Sequence, residues 1–236
     1  MTKSDIRTQT IAELQKSFAT MGQPAYRAKQ VFDWMWKLGA KGFDDMSNVP
    51  AALRQELSDR FTFESIILDV RQNSADGTVK SRYKLHDGYK IETVMIPVPE
   101  DRRSTACVSS QVGCSLTCSF CATGQMGRLR NLTAGEIYDQ AFDTNKLSQE
   151  MLGYPLTNIV YMGMGEPLLN YGPVMESIHK ITSPDGMAWS PRRITLSTAG
   201  IAKMIRRLGD EKVKFNLALS LHAADDNKRN QIMPIN

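Results

Sequence analysis

Apolar residues recur at helical spacing in "TIAELQKSFATMG" and in "PAYRAKQVFDWMWKLG", two stretches that together run from Thr10 to Gly39, and this spacing predicts two amphipathic helices. "NVPAALRQELSDRF" predicts a third, with Pro50 near its start, where a missing backbone N–H is tolerated. From Glu64 to Val98 the period changes. "ESIILDVRQNSADGTVKSRYKLHDGYKIETVMIPV" alternates apolar and polar positions and is broken by "ADG" and "HDG", which predicts strands joined by tight turns. "STACVSSQV" follows, with Ala106, Val108 and Val112 interleaved with small polar residues, and reads as a further strand.

Beyond residue 130 the two periods take turns. "LTAGEIYDQAFDTNKL" opens with Thr133 and Glu136 in a capping-box arrangement and places Ile137, Ala141 and Phe142 at helical spacing. "LTNIVYMG" is a buried strand, "GPVMESIHKI" a helix with Pro173 in its first turn, "RITLST" a strand, "AGIAKMIRRLG" a helix and "VKFNLALSLH" a strand. Strands alternating with helices imply an α/β fold with a parallel sheet and right-handed crossovers, and such a sheet, when curved, forms part of a barrel. The pattern divides the chain into an accessory unit over 1–98, helical and then β, and a (β/α) unit over 99–236.

Composition narrows this little. With 236 residues, 42% hydrophobic content and a net charge of +4, the chain can bury a real core and lacks the charge excess of a disordered tail. The N-terminus "MTKSDIRTQT" has no apolar core of a signal peptide, and no stretch approaches the roughly 20 apolar residues that span a bilayer. A cytosolic protein without membrane contact is expected. Between Lys180 and Lys214 eight Lys or Arg face three acids, a run that reads chiefly as the solvated outer face of helices.

The cysteines change the picture. Cys107, Cys114, Cys118 and Cys121 are the only ones, all in one short segment. Stapling disulfides close long loops, so such a cluster points to metal or catalysis. Structural zinc usually pairs two knuckles from separate parts of a chain, whereas C-x3-C-x2-C has only Cys107 as a fourth candidate, in a strand seven residues upstream. Three thiolates suit a 4Fe-4S cluster with one iron left open for an external ligand; an electron carrier normally has four. In parallel α/β sheets ligands sit at the C-terminal strand ends. Those ends here carry "GMGEP" with Gly165 and Glu166, Ser197 with Thr198, and "SLHA" with Ser220, Leu221 and His222. Taken singly, these read as a turn, a helix N-cap and a rim histidine.

"CSLTCSFC" resembles the signature of the radical S-adenosylmethionine superfamily. In order, "IETVMIP", "CVSSQVGCSLTCSFCATGQMG", "GMGEPLLN", "ITLSTAG", "LSLHA" and "IMPIN" resemble the radical-SAM RNA methyltransferases that modify an adenine carbon, most closely the dual-specificity 23S rRNA and tRNA adenine-C2 methyltransferase family. The resemblance runs from about Ile91 to the last residue, and the N-terminal helices fit that family's accessory domain. It implies that Cys114, Cys118 and Cys121 bind a 4Fe-4S cluster, and that Gly165, Glu166, Ser197, Ser220, Leu221 and His222 contact S-adenosylmethionine. It further implies a methylated enzyme cysteine, a radical on that methyl group, a carboxylate that removes the ring proton, and a second cysteine that resolves the protein–RNA link as a disulfide. Cys107 matches the resolving cysteine and Glu92 the base, although Glu92 in its own context, between Ile91 and Thr93, reads as a solvated strand residue. The partners implied are 23S rRNA, tRNA and a low-potential electron donor, with the protein a monomer. The related carbon-8 adenine methyltransferase shares most of these motifs, and an iron–sulfur electron carrier is the alternative of another class.

One departure stands out. The family's methyl-carrying cysteine lies near its C-terminus, and this sequence has none after Cys121. A further asparagine that contacts S-adenosylmethionine is also expected downstream, and the strands present are too few to close the barrel. The chain therefore reads as a C-terminally truncated member. Supplied with cluster, reductant and S-adenosylmethionine, the 236 residues alone are expected to leave RNA unmethylated in nucleoside mass spectrometry. Restoring the native downstream sequence with its cysteine is expected to bring turnover back, and restoring it with that cysteine as alanine is not.

Overall fold

The computed structural model describes residues 3–233 and 235. A two-residue strand β1 (Ser4–Asp5) pairs in parallel with β2 (Phe61–Thr62), and between them lie α1 (Ile11–Thr20), α2 (Ala25–Trp36) and α3 (Ala51–Arg60). α1 starts where its sequence allows reciprocal capping: Thr10 Oγ1 accepts from the Glu13 N–H and the Glu13 carboxylate accepts from the Thr10 N–H. The buried sides of α1 and α2, with Leu14, Phe18, Val31, Met35 and Trp36, enter the main core.

The alternating stretch forms an antiparallel meander of β3 (Ile67–Asn73), β4 (Val79–Lys84) and β5 (Lys90–Val98), turning at Gly77 and Gly88. β6 (Arg103–Cys107) pairs antiparallel with β5 on one side and parallel with β9 (Asn158–Tyr161) on the other. Between β6 and β9 lie β7 (Gln111–Val112), the four-residue α4 (Ala122–Gln125), β8 (Arg130–Asn131), which pairs with β7, and the long α5 (Ala134–Leu152). The β/α succession continues through α6 (Tyr171–Thr182), β10 (Ile194–Thr198), α7 (Ala202–Asp210), β11 (Asn216–Leu219) and α8 (Asp226–Ile232).

Together the long strands form one seven-stranded sheet ordered β11-β10-β9-β6-β5-β4-β3. The α/β class and the order of β/α units are those expected. The sequence pattern does not disclose that the strands on either side of residue 98 are neighbours in this sheet, with Val98 beside Arg103 and Val94 beside Cys107. Nor does it disclose α4 or α8. β11 is shorter than "VKFNLALSLH", because the chain leaves the ladder before Ser220.

Strand alternation assigns the two faces. Ala106, Ile159, Tyr161, Ile194 and Leu196 are buried with Ile137, Ala141, Val174 and Ile178 of α5 and α6, and Tyr161 Oη lies 2.8 Å from Ser177 Oγ. The other face carries Glu92, Val94, Cys107, Val160 and Ser197, all partly open. No described helix is long and apolar enough to cross a membrane.

The N-terminal segment is fastened to α5 by a buried cation. The Arg7 side chain is 1% exposed; its Nη1 donates to Asp139 Oδ1 at 2.9 Å and its Nε lies 3.7 Å from Asp5. The other amino group donates to the Glu64 carbonyl. Gly135 leaves the space, since a Cβ there would lie 2.6 Å from Arg7 Cζ. Removing one partner of a buried ion pair strands the other charge. Arg7→Met is expected to lower the unfolding free energy by about 3–5 kcal/mol in urea denaturation.

Candidate functional site

The loop after β6 is held in place by backbone hydrogen bonds before any side chain acts. Val108 N donates to Val160 O, Gly163 N to Val108 O, and both Ser110 N and Gln111 N to Met164 O. Ser109 Oγ donates to the Glu92 carbonyl at 2.6 Å and accepts from Met164 N at 2.9 Å. Gln111 Oε1 accepts from Glu166 N at 2.9 Å. Contact this close excludes a side chain at Gly165: φ is +97° and a Cβ would lie 2.5 Å from the Gln111 Cβ.

The cysteine loop leaves this base at Gly113, where φ is +75° and a Cβ would lie 1.8 Å from the Gly127 carbonyl oxygen. Cys114 N donates to that same Gly127 carbonyl, and Cys121 N donates to Cys118 O as the chain turns into α4. The loop thereby brings Cys114, Cys118 and Cys121 to one cavity of ≈ 270 Å³, two of them buried and Cys121 half-buried. Burial pushes the Cys114 and Cys118 thiols above the ordinary thiol value. Among the described residues no group of three or more His, Cys, Asp or Glu is arranged to hold a single metal ion. The three thiols line the wall of one cavity.

The opposite wall comes from the strand ends. Glu166 is 4% exposed. Its Oε1 accepts from Leu168 N at 3.0 Å and its Oε2 from Ala199 N at 2.7 Å. Burial raises its pKa, opposed by these N–H donors and by the Thr198 hydroxyl. Ser197 Oγ and Ser220 Oγ lie 3.1 Å apart, and both residues line the cavity. His222 has a left-handed φ of +58° and its ring centroid is 4.4 Å from that of Phe120. The cavity thus joins three thiols to one buried carboxylate and two hydroxyls, a donor set for an iron–sulfur cluster with a small polar cationic ligand beside it.

Of the residues singled out from sequence, Gly165, Glu166, Ser197, Ser220, His222 and the three clustered cysteines line this cavity. Leu221 does not: its side chain is 49% exposed and faces a neighbouring cavity on the other side of the strand end. Cys107 and Glu92 also lie outside the lining. They share the open face of the sheet, since Cys107 is opposite Val94 and Glu92 is two residues along the same strand. The Glu92 carboxylate lies 3.2 Å from Lys80 Nζ. All four cysteines are free thiols, and the neighbour of Cys107 at the cavity rim is Met162. Sequence reasoning did not single out Phe120 or Met233 as lining residues. Met233 had a signal, its place in "IMPIN".

Residues 108–236 match the family model described as the radical SAM superfamily. The chain belongs to the radical SAM superfamily. Residues 5–63 match the model described as the ribosomal RNA large subunit methyltransferase N-terminal domain, so this radical SAM domain follows the accessory helices of that group. The chain is 55% identical over 234 residues to a probable dual-specificity RNA methyltransferase RlmN of Cytophaga hutchinsonii, covering 99% of this chain and 64% of the relative. It is 42% identical to the dual-specificity RNA methyltransferase RlmN of an Anaeromyxobacter species, covering 99% and 62%. A crystal structure of a radical SAM methyltransferase from Sphaerobacter thermophilus superposes with a TM-score of 0.88 at 41% identity, covering 98% of this chain and 67% of that one. The chain therefore spans a little under two thirds of the length of these two curated relatives.

Cys107 stands outside the cavity lining but shares the burial of the other thiols. Burial pushes its pKa up, and the Met162 N–H opposes that only in part. With the cluster cysteines replaced by alanine, the Cys107 alkylation rate by iodoacetamide is expected to reach half its maximum at higher pH than in an unstructured cysteine peptide, as read by peptide mass spectrometry.

Proposed function

We propose that this chain forms the cluster- and cofactor-binding portion of a radical SAM enzyme that methylates carbon 2 of adenine in 23S rRNA and tRNA. The observation that carries the reading is the single cavity in which three thiols face the buried Glu166 carboxylate. Cys114, Cys118 and Cys121 hold a 4Fe-4S cluster. When bound, that cluster with S-adenosylmethionine supplies one-electron cleavage of a sulfonium bond and so a route to a ring carbon that has no lone pair to methylate. Glu166 takes the ammonium group of the methionine moiety: a carboxylate held by two backbone N–H groups in a dry site gains most from a cation beside it. Ser197, Ser220, Gly165 and His222 line the remainder, and Leu221 contributes its main chain only.

Adenine is received over the open face of the sheet. Glu92 there would accept the ring proton, and in the complete protein the Cys107 thiolate would attack the sulfur of a methylene-bridged cysteine supplied by the rest of the protein, forming an S–S bond as the S–C bond to the RNA-bound carbon breaks and leaves its electron pair on that carbon. Reducing equivalents come from a low-potential donor. The names of the relatives support the RNA substrates.

Anaerobic reconstitution is expected to give one 4Fe-4S cluster in the native chain and in Cys107→Ala, and to fail in Cys114→Ala, Cys118→Ala and Cys121→Ala; iron analysis and absorption spectra decide. Loss of cluster iron in Cys107→Ala would falsify the ligand assignment. Glu166→Gln is expected to keep the cluster and to weaken S-adenosylmethionine by about 10- to 100-fold, since a charged hydrogen bond is removed. Fused to the C-terminal third of the Cytophaga relative, the chain is expected to yield 2-methyladenosine in nucleoside mass spectrometry, and 8-methyladenosine would overturn the carbon assignment.

A further inference from the structure

We propose that Arg229 is the positioning residue of the cofactor site, fixing the ends of β10 and β11 in the arrangement that S-adenosylmethionine requires without touching it. The inference rests on the reading of the cysteine cavity given above. Arg229 lies on α8, is 6% exposed, and faces the neighbouring cavity behind the strand ends, outside the lining of the cysteine cavity. Its Nε donates to the Leu221 carbonyl at 3.2 Å. One terminal amino group donates to the Ala199 carbonyl and lies 3.3 Å from Met233 Sδ. The other donates to the Ile235 carbonyl.

Three of these contacts lead to the cavity in one step. Ala199, held through its carbonyl, gives its N–H to Glu166 Oε2 at 2.7 Å. Leu221 precedes His222, whose left-handed backbone an L residue rarely adopts unaided and whose ring meets Phe120 of the cysteine loop. Met233 lines the cavity itself, and Ile232, one turn along α8, accepts from Ser119 N at 2.9 Å, between two of the cluster cysteines. A planar guanidinium reaches three carbonyls in different directions at once. A lysine ammonium in the same place is a point donor and cannot span them.

The test compares Arg229→Lys and Arg229→Met with the native chain and Glu166→Gln, all cluster-loaded under anaerobic conditions. Measured are iron per chain, melting temperature, S-adenosylmethionine affinity by equilibrium dialysis, and the change that S-adenosylmethionine makes in the electron paramagnetic resonance spectrum of the reduced cluster. Both Arg229 variants are expected to keep cluster and fold while weakening S-adenosylmethionine by about tenfold or more, with the spectral change displaced to correspondingly higher ligand concentration. Arg229→Lys is expected not to rescue, because geometry rather than charge is used. Binding within twofold of native in either folded variant overturns the role of Arg229 and leaves the cavity assignment standing. Failure of the native chain to bind S-adenosylmethionine overturns the cavity assignment and the proposal with it. Should neither variant fold, hydrogen exchange on the native chain decides: added S-adenosylmethionine is expected to slow exchange across residues 226–232, and unchanged exchange there refutes the coupling.

Discussion

Everything at the cavity depends on one piece of backbone, Val108–Gln111, being stitched to the loop that carries Gly163–Glu166. Four hydrogen bonds and the Ser109 hydroxyl bridge fix two loops that would otherwise be free to drift at the ends of neighbouring strands. A single buried amide locks this stitching to α5. Gln140 Oε1 accepts from Thr93 Oγ1 and Ser109 N, both at 2.8 Å, and its Nε2 donates to the carbonyls of Ser109 and Glu136. All four of its hydrogen-bonding positions are used, which is the condition under which a buried polar network rigidifies a site rather than weakening it.

The cavity is electrostatically prepared for a positive guest. Burial raises the pKa values of Cys114, Cys118 and Glu166, which disfavours negative charge on each, and among the described residues no Lys or Arg lines the cavity. In the function proposed above, metal ligation and an ammonium group would reverse that balance, the thiols giving up protons as they bind. Burial that is unfavourable for the ligand-free protein thereby becomes affinity for the guest.

How much of this was legible follows the range of the interactions. Thr10 with Glu13 and Thr133 with Glu136 are local pairs, and their helices begin where the sequence places them. The cysteine triad and the strand-end residues were legible because each is a short motif and the β/α order puts every strand end on one side. Leu221 shows the limit: a contiguous motif says nothing about which side chain turns away once the chain leaves the ladder. α8 was missed because "DNKRNQI" has no apolar period; it forms through the Asp225 cap, which accepts from Lys228 N, and the Arg229 contacts. The side-by-side pairing of β5 and β6 joins regions that read as separate units, and alternation alone gives no partner.

β6 is the seam of the sheet, with antiparallel ladder geometry on its β5 side and parallel geometry on its β9 side. A slip of β6 by one residue would carry Cys107 from the open face to the face covered by α5 and α6. That thiol therefore marks alignment: a labelling reagent that finds it is reading whether β6 has met its antiparallel and parallel neighbours in step.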